Sequence, residues 1–286
     1  MKKNKAILLL HCHDQPGIIA SITAFIHDNN GNIVALEQHV EELEKELFMR
    51  VEWELDDFII PNEKIEEYFQ TLVGDRFKMN WRLEFNSTIP KIALFVSKYS
   101  HCFFDILSRY ESKEWKVEIP LIISNHEKFR PVAERYNIPY YHIPITKENK
   151  MDAEEKEIKL LRENKVSLIV LARYMQVVTG DFINKYPNKI INIHHSSLPA
   201  FPGAKPYDSA YKRGVKLVGA TAHYVTQDLD AGPIISQEVI PVSHKDRIRD
   251  LKRKGKNTEK IVLAKAVKKH IDHKIIPYKN RTVVFA

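Results

Sequence analysis

The stretch VSLIVLARYMQVVTGDFINKYPNKIINIH (166–194) contains two short apolar runs that flank a more polar segment. Apolar runs of this length, VSLIVLA and KIINIH, predict strands buried on both faces, because a strand covered on one face alternates between apolar and polar residues. In a parallel sheet, strands of that kind are joined by helices. The stretch therefore predicts the α/β class for the region around it.

The same alternation of strands and helices begins at residue 91. Further strand candidates are KIALFVS (91–97), residues 117–124 and YYHIP (140–144), and MDAEEKEIKLLRENK (151–165) is a helix candidate. Together they predict a doubly wound parallel sheet, in which ligands bind beyond the carboxyl ends of the strands. Two segments that follow strands, LARYMQ (171–176) and NIHHS (192–196), are therefore candidate sites of chemistry.

The first 85 residues have a different order of elements. KAILLLHC (5–12) predicts a buried strand, and the next segment predicts a helix with Asp14 as its cap, Pro16 in its first turn and Asn30-Gly31 at its end. The elements that follow are the half-buried strands IVALEQHVE (33–41) and LFMRVEWEL (47–55), a helix with Ile65, Phe69, Leu72 and Val73 on one face, and the strand WRLEF (81–85). The order βαββαβ predicts helices on one face of an antiparallel sheet. Since the turn formers of NSTIPK (86–91) follow, we expect domains at 1–86 and 90–286.

The composition is that of a globular protein and not of a disordered one. The chain has 286 residues, of which 44% are hydrophobic, and a net charge of +7; this length agrees with two domains of ~100–200 residues each. Much of the positive charge lies in residues 245–274, which form either a solvated helical face or a basic rim that attracts a polyanionic small molecule. Because RNA-binding and zinc-finger motifs are missing, we expect no nucleic-acid partner.

Cysteine content and hydropathy both favour the cytoplasm. The cysteines, Cys12 and Cys102, are too few and too distant for a disulfide framework. The apolar run Ala6–Leu10 is too short for a signal peptide, and no stretch approaches the ~18 apolar residues of a membrane span. We therefore expect a cytoplasmic protein with no membrane partner.

Two polar segments are candidates for the chemistry. Asn192 and His194 in NIHHSSLPAFPGAKPY (192–207) are two residues apart on a strand, so their side chains point the same way and could face a developing oxyanion. The alternative is a polar strand end that only leads into a loop. The segment AHYVTQDLDAGPIISQEVIPV (222–242) predicts a hairpin with Asp228 and Asp230 on its loop. These carboxylates either serve the turn alone or act as a general base beside an imidazole.

The two segments together resemble the folate-dependent formyltransferase family. The shared pattern is N-I-H-x-S-x-L-P-x-F-x-G and, about twenty residues later, H-x-V-x-x-x-x-D-x-G-x-I-I-x-Q. It is matched here by Asn192, His194, Ser196, Leu198, Pro199, Phe201, Gly203, His223, Asp230, Gly232 and Gln237. The segment LARYMQVVTGDFINKYPNKIINIH (171–194) also looks like the strand and helix before that family's active site. The resemblance implies a Rossmann-like catalytic domain.

The resemblance also implies roles for individual residues. Asn192 would donate to the formyl oxygen, His194 would stabilise its charge or pass a proton to N10 of the folate, and Asp230 would deprotonate the attacking species. The pterin would lie against the backbone of two segments, which are Met175, Gln176, Val177 and Val178, and Thr226, Gln227, Asp228 and Leu229. Gln176 stands where a transferase often has arginine, so we expect a changed contact there. We expect no metal and no cofactor, since neither His11 and His13 nor His194 and His195 have the further ligands of a tetrahedral site.

Three features favour one branch of this family. FVSKYSHCFFDIL (95–107) contains no glycine where the glycinamide transferases have a phosphate-binding loop, and the chain ends at residue 286 with no room for the β-barrel of the tRNA formylating enzymes. The βαββαβ unit resembles an ACT domain, with DQPGIIA (14–20) as its strand-to-helix turn. An ACT domain before a formyltransferase-like domain is the arrangement of the formyltetrahydrofolate deformylases. In transferases, moreover, proline usually takes the place of His195.

The resemblance therefore implies hydrolysis of 10-formyltetrahydrofolate to formate and tetrahydrofolate, which supplies formate for one-carbon and purine metabolism. The alternatives are formyl transfer to a small amine, or an amino-acid sensor whose second domain only binds folate. ACT domains pair and bind amino acids, so we expect a homo-oligomer, either a dimer or a tetramer. An amino-acid effector would contact Asp14, Gln15, Pro16, Gly17, Ile18 and Asn32, unless this domain serves dimerisation alone.

Overall fold

Two β-sheets organise the chain, a four-stranded one near its start and a seven-stranded one after it. The computed structural model describes residues 3–199 and 206–286, so Phe201 and Gly203 of the formyltransferase-like pattern lie outside the described residues. The elements confirm the predicted classes, a βαββαβ unit followed by a Rossmann-like α/β unit.

The N-terminal unit is an antiparallel sheet with helices on one face. Its elements are β1 (Lys5–His13), α1 (Ile18–Asp28), β2 (Asn32–Glu41), β3 (Glu46–Glu54), α2 (Ile65–Phe69), α3 (Asp75–Phe77) and β4 (Asn80–Phe85). The strand order is β2-β3-β1-β4. Leu8 and Leu10 of β1 lie in one buried cluster with Ile22 and Phe25 of α1 and Phe69 of α2, so the helices cover the face to which these strand residues point.

The start of α1 differs from the prediction. Gly17 precedes the helix with φ 94° and without a side-chain cap, and the backbone N–H of Asp14 donates to the carbonyl of Lys45. Asp14 as the cap and Pro16 in the first turn were therefore wrong predictions. The chain leaves β1 through a left-handed residue that glycine adopts without strain, and this delays the helix. The predicted end at Asn30-Gly31 is confirmed, since the N–H of Gly31 donates to the carbonyl of Ile26.

The second helical region contains a π-helical turn at Gln70–Gly74, between α2 and α3. Ile65, Phe69 and Val73 are buried as predicted, but the side chain of Leu72 is 58% exposed. A π-helical turn holds more residues than an α-helical turn, so it rotates the buried face by about one position. For that reason the prediction of Leu72 on the buried face was wrong.

The second unit is a doubly wound sheet. Its elements are β5 (Lys91–Val96), α4 (His101–Glu111), β6 (Glu118–Ser124), α5 (Arg130–Arg135), β7 (Tyr140–His142), α6 (Lys150–Glu163), β8 (Leu168–Ala172), α7 (Gly180–Lys185), β9 (Ile190–His194), α8 (Pro206–Arg213), β10 (Leu217–Tyr224), β11 (Ile234–Pro241) and α9 (Ile248–Ile271). The strand order is β11-β10-β9-β8-β5-β6-β7. Neighbours from β9 to β7 are parallel, whereas β10 and β11 form the predicted antiparallel hairpin at the edge.

This topology decides where side chains meet. The order reverses direction between β5 and β8, and the carboxyl ends of β8 and β9 lie side by side. Because β10 runs antiparallel to β9, its last residues do not lie at the end of β9 but opposite Asn192 and Ile191. The end of β9, the adjacent strand β10 and the β10–β11 loop are thereby brought to one edge of the sheet.

Contacts divide the chain into two units, and the C-terminal residues are shared between them. The N-terminal unit includes Asp272–Ile276 and Val283–Ala286, which contain most of the last hairpin, β12 (Ile275–Tyr278) and β13 (Arg281–Val284). The boundary drawn between 86 and 90 stays a prediction, and the structure adds that the chain returns to the N-terminal unit at its end.

The returning segment explains a second difference from the sequence analysis. Nε of Arg50 on β3 donates to the carbonyl of His273 at 3.0 Å, and Arg82 on β4 donates to that of Ile275 at 2.7 Å. Arg50 is 4% exposed, and the residues of β3 from Leu47 to Val51 are all buried. The prediction of a half-buried strand was therefore wrong for β3. A pattern within one strand does not reveal a segment that packs on it from more than 200 residues away.

The basic stretch forms α9, which has a charged face and a buried face. Leu251, Val262, Leu263 and Val267 are buried on it, while the side chains of Lys252 and Arg253 are exposed. Among the described residues, no helix is both long and apolar enough to span a membrane.

The π-helical turn makes a direct test of packing possible. Val73→Ala should lower the free energy of unfolding by about 1–2 kcal/mol, because ~0.8 kcal/mol is lost per buried methylene-sized group and a cavity remains. Leu72→Ala, the adjacent control, should change it by less than about 0.5 kcal/mol, since Leu72 is exposed. Urea denaturation of both variants measures this. A larger loss for Leu72→Ala would contradict the π-helical register.

Candidate active site

The end of β9 carries the two residues on which the functional hypothesis rests. Asn192 pairs across the strands with His223 of β10, and His194 pairs with Thr221. Nδ2 of Asn192 lies 3.3 Å from Nε2 of His223, and Nδ1 of His223 lies 2.9 Å from the carbonyl oxygen of Tyr224. In the neutral tautomer that satisfies both contacts, Nδ1–H donates to Tyr224 and Nε2 accepts from the amide. His223 therefore fixes which way the Asn192 amide points.

Asp230 reaches the same place from the β10–β11 loop. Its Oδ2 lies 3.1 Å from Nδ1 of His194, and its Oδ1 lies 3.7 Å from Nε2 of His223. Asp230 has φ 55°, a left-handed conformation that Asp tolerates better than most residues. Two residues later, a Cβ on Gly232 would lie 1.9 Å from the carbonyl oxygen of Tyr224. The loop can pass this close to β10 only because residue 232 has no side chain.

The surroundings of Asp230 keep it ionised. Partial burial opposes ionisation, but the hydrogen bond from His194 and the nearby imidazole of His223 outweigh it and hold the pKa of the Asp230 carboxyl well below its usual value. His194 is buried, and its Nε2 has no hydrogen-bond partner among the described residues. With Nδ1 held by Asp230, Nε2 is the atom of this pair that can exchange a proton with a bound molecule.

Hydrogen bonds from side chains of β10 and β11 fix the residues after His194. The hydroxyl of Thr221 donates to the carbonyl of Ser196 at 2.8 Å and accepts from the N–H of Leu198 at 3.0 Å. The amide of Gln237 donates to the carbonyl of Leu198 at 2.8 Å. Gln237 belongs to the quoted pattern, and the hydrogen bond that its side chain donates gives a structural reason for glutamine at this position. Thr221 was missed, because a hydroxyl inside an apolar strand is weak evidence of any role.

The predicted pterin-binding residues lie on two neighbouring loops. Met175, Val177 and Leu229 are 49%, 54% and 65% exposed, whereas Val178 is buried in the core. The Gln227 side chain packs against Gly180, next to the first of the two loops. Gln227 is thus placed beside the start of α7, directly after the first loop, and contact of the two segments with folate stays a prediction.

A buried ionic cluster beside this site was missed by the sequence analysis. Glu259 of α9 accepts hydrogen bonds from His101 at 2.7 Å and from Tyr207 at 2.8 Å, and Nε of Arg173 lies 3.5 Å from it. Burial opposes ionisation of Glu259, but the hydrogen bond from His101 and the charge of Arg173 lower the pKa of its carboxyl. The Tyr207 ring lies 5.8 Å from that of His195, which lies 5.1 Å from that of His194. The available signal was that Glu259 is the one acidic residue between residues 251 and 271 of the basic stretch.

His101, Cys102 and Glu259 are close enough to one another to share a metal ion. Their chemistry does not fit one well. The carboxylate of Glu259 already accepts from His101 and Tyr207 and faces the guanidinium of Arg173. Burial raises the pKa of the Cys102 thiol well above its usual value, so at neutral pH this residue is a thiol and not the thiolate that metals prefer.

The residues predicted to bind an effector are mostly at the surface of the N-terminal unit. Asp14, Gln15 and Gly17 are exposed, but Ile18 is buried in the core. Asn32 donates to Glu54 at 3.2 Å. An open cavity of about 660 Å³ lies elsewhere in the unit and is lined by residues that include Gln70, Lys78, Trp81 and Arg82. None of the predicted effector residues lines it, and the effector site stays a prediction.

Comparison with known proteins agrees with this geometry. The formyl transferase family profile matches residues 90–267, and the ACT domain profile matches residues 6–67. A formyltetrahydrofolate deformylase of a Synechocystis strain is 49% identical to the chain, with both proteins covered completely. The chain belongs to the formyltetrahydrofolate deformylase family.

Other members and neighbours agree. The formyltetrahydrofolate deformylase of Bacillus subtilis is 42% identical over 99% of this chain and 94% of its own. The crystal structure of such a deformylase from Pseudomonas syringae pv. tomato has a TM-score of 0.97 and 39% identity, covering 100% of this chain and 96% of that one. A glycinamide ribonucleotide transformylase from Symbiobacterium toebii reaches a TM-score of 0.66 at 27% identity and covers 72% of this chain and 98% of its own. It therefore lacks a counterpart for over a quarter of the chain.

The cluster at Glu259 gives a stability prediction at Gly255. Glycine to alanine inside a helix usually stabilises by up to ~1 kcal/mol, but a Cβ here would lie 1.9 Å from the hydroxyl of Tyr207. Gly255→Ala should therefore lower the free energy of unfolding by about 1–3 kcal/mol, as overpacking does. Asn257→Ala, exposed on the same helix, is the control and should stay within about 0.5 kcal/mol. Equal stability of the two variants in thermal unfolding would contradict the placement of Tyr207.

Proposed function

We propose that this protein hydrolyses 10-formyltetrahydrofolate to formate and tetrahydrofolate. The observation that carries the proposal is the pair formed by Asp230 and His194, 3.1 Å apart, with Asn192 on the same strand as His194. These are groups that an acyl transfer to water needs: a base, an acid and an oxyanion donor. Membership in the deformylase family over the whole chain supports water as the acceptor.

The first step is attack of water on the formyl carbon. The Asp230–His194 pair accepts the proton of the water. The hydrogen bond from His194 and the nearby imidazole of His223 hold the pKa of the Asp230 carboxyl low, so the carboxylate alone is a weak base. It orients the imidazole of His194 and stabilises the positive charge that forms on it when Nε2 takes the proton.

The second step is loss of the folate amine. While the formyl oxygen carries negative charge, the Asn192 N–H that does not contact His223 donates to it. Nε2 of His194 then returns its proton to N10, the carbon–nitrogen bond breaks, and formic acid and tetrahydrofolate leave. Asn192 is effective because His223 holds its amide in one orientation before substrate binds.

The pterin is proposed to lie between the two loops at 175–178 and 226–229. The exposed side chains of Met175, Val177 and Leu229 offer apolar surface for a flat ring, and the backbone offers donors and acceptors for its edge. Glutamine at 176 is compatible with this, since the recognition is by backbone. The basic face of α9 is a candidate for attracting the glutamate tail of the folate.

We propose further that no metal or cofactor takes part, because every step above has a proton donor or acceptor in the chain.

The protein would act in the cytoplasm, where two buried free cysteines stay reduced, and would supply formate to one-carbon and purine metabolism. A homo-oligomer, dimer or tetramer, is supported by β2, an edge strand with Val34 and Leu36 partly exposed. An amino-acid effector would act at the N-terminal unit. We propose no interaction with nucleic acid or with membranes.

The purified protein with 10-formyltetrahydrofolate and no amine should release formate. Asp230→Asn and His194→Ala should each reduce turnover ~10²–10⁴-fold, as loss of general acid–base catalysis does, without unfolding the protein. Asp246→Asn, a loop carboxylate hydrogen-bonded to Lys254, is the control and should retain the wild-type rate. A coupled dehydrogenase assay that follows formate measures the turnover of the wild type and of the three variants.

Two outcomes would overturn the proposal. Undiminished formate release by Asp230→Asn or His194→Ala would remove these residues from the mechanism. Accumulation of a formylated amine in place of formate, when small amines are added, would favour formyl transfer.

A further inference from the structure

The loop between β8 and α7, residues Arg173–Thr179, is held by one helix at three points. All three contacts come from α6. The Tyr174 hydroxyl donates to Glu157 at 2.7 Å, the N–H of Thr179 donates to Glu154 at 2.9 Å, and its hydroxyl donates to the same carboxylate. Lys150 donates to the carbonyl of Val177. The loop is thus fixed near both ends and in the middle.

The backbone of this loop has a conformation that needs such support. Arg173 has φ 64° and Met175 has φ 61°, in the left-handed region that residues with a Cβ adopt only at a cost. Met175 and Val177 direct apolar side chains outward, so burial of these side chains does not stabilise the conformation. The buried side chains of Tyr174 and Val178 and the contacts with α6 have to stabilise it instead.

The carboxylates of Glu154 and Glu157 lie in an unusual environment. They are 4% and 0% exposed, and burying a charged group is unfavourable unless it is fully paired. Glu157 Oε1 accepts from Tyr174, but Oε2 has no partner among the described residues. Exposed positions for acids were available on the same helix, for example Glu155. The buried acids therefore have a role that outweighs their cost in stability.

We propose that Glu154 and Glu157 are positioning residues that hold the loop Arg173–Thr179 in the conformation that receives the pterin ring. The inference rests on the proposed function, because the loop is there assigned to folate. Neither carboxylate touches the reacting atoms, so loss of their contacts should weaken folate binding more than it slows the chemical step.

A pH dependence follows from the burial of Glu157. Burial, and the neighbouring charge of Glu154, raise the pKa of Glu157 to about 7, against the opposing hydrogen bond from Tyr174 and the charge of Lys150. A pKa above that of the unfolded chain means that the protonated form is favoured in the folded state. Stability from this group is therefore present at low pH and falls as pH rises through about 7. Above that pH, an unpaired charge beneath the loop favours its opening.

The experiment measures KM and kcat for formate release between pH 6 and pH 8.5. For the wild type, KM should rise several-fold over this range while kcat follows the chemistry. Glu157→Gln keeps an acceptor for Tyr174 and has no proton to lose, so it stays neutral, and its KM should match the wild type at pH 6 and stay flat to pH 8.5. Tyr174→Phe should raise KM roughly tenfold at pH 8.5, where Glu157 is ionised, as loss of a hydrogen bond to a charged group does. Glu155→Gln, exposed on the same helix, should behave as the wild type.

The outcomes separate this inference from the proposed function. If the wild type releases no formate at any pH, the proposed function fails. If it does release formate, but Glu157→Gln shows the same rise of KM as the wild type and Tyr174→Phe leaves KM unchanged, the positioning role is wrong. Should Tyr174→Phe not fold, hydrogen exchange at the amides of residues 173–179 decides: at pH 8.5 the wild type should exchange faster there than Glu157→Gln, and equal exchange would overturn the inference.

Discussion

The carboxylate of Asp230 between the imidazoles of His194 and His223 is the contact on which the active site depends. It joins three parts of the chain: the end of β9, the adjacent strand β10 and the β10–β11 loop. Without the carboxylate, the tautomer of His194 would not be fixed, and the ring nitrogen left without a proton would not be defined. Because His223 also contacts the amide of Asn192, one charged group lies against both of the imidazoles that set the geometry of the proposed site.

The rest of the second unit can be understood as the support for this contact. Parallel strands bring the carboxyl ends of β8 and β9 together, so the loop proposed to hold the pterin and the strand with Asn192 and His194 end at the same edge. The antiparallel turn of β10 and β11 brings Asp230 back to that edge, and it can do so closely because Gly232 has no Cβ to collide with Tyr224. On either side, buried acids fix the neighbouring parts: Glu259 holds Tyr207 beside His195, and the carboxylates of α6 hold the loop after β8.

The sequence predicted what is local and missed what is distant. Strands, helices and the β10–β11 hairpin follow from periodicity and turn residues, and Asn192, His194 and Asp230 stood out because their spacing matches a known family. Leu72 was misplaced because a π-helical turn leaves no clear mark in a sequence pattern. The burial of Arg50 depends on residues 273–275, and the role of Glu259 depends on His101 and Tyr207. Such partners are far apart in sequence, and only the folded chain brings them together.

The most direct test of this account is the titration of Asp230 itself. Carbon-13 NMR of the labelled side-chain carboxyl, assigned with Asp230→Asn, would follow its ionisation from pH 7 down to about 3.5, below the ordinary aspartate value of ~3.9. Asp230 should remain ionised throughout, because His194 donates to it and the imidazole of His223 lies beside it. A midpoint near the ordinary value or above it would mean that the imidazoles do not hold the carboxylate, and would contradict the arrangement from which the mechanism is derived.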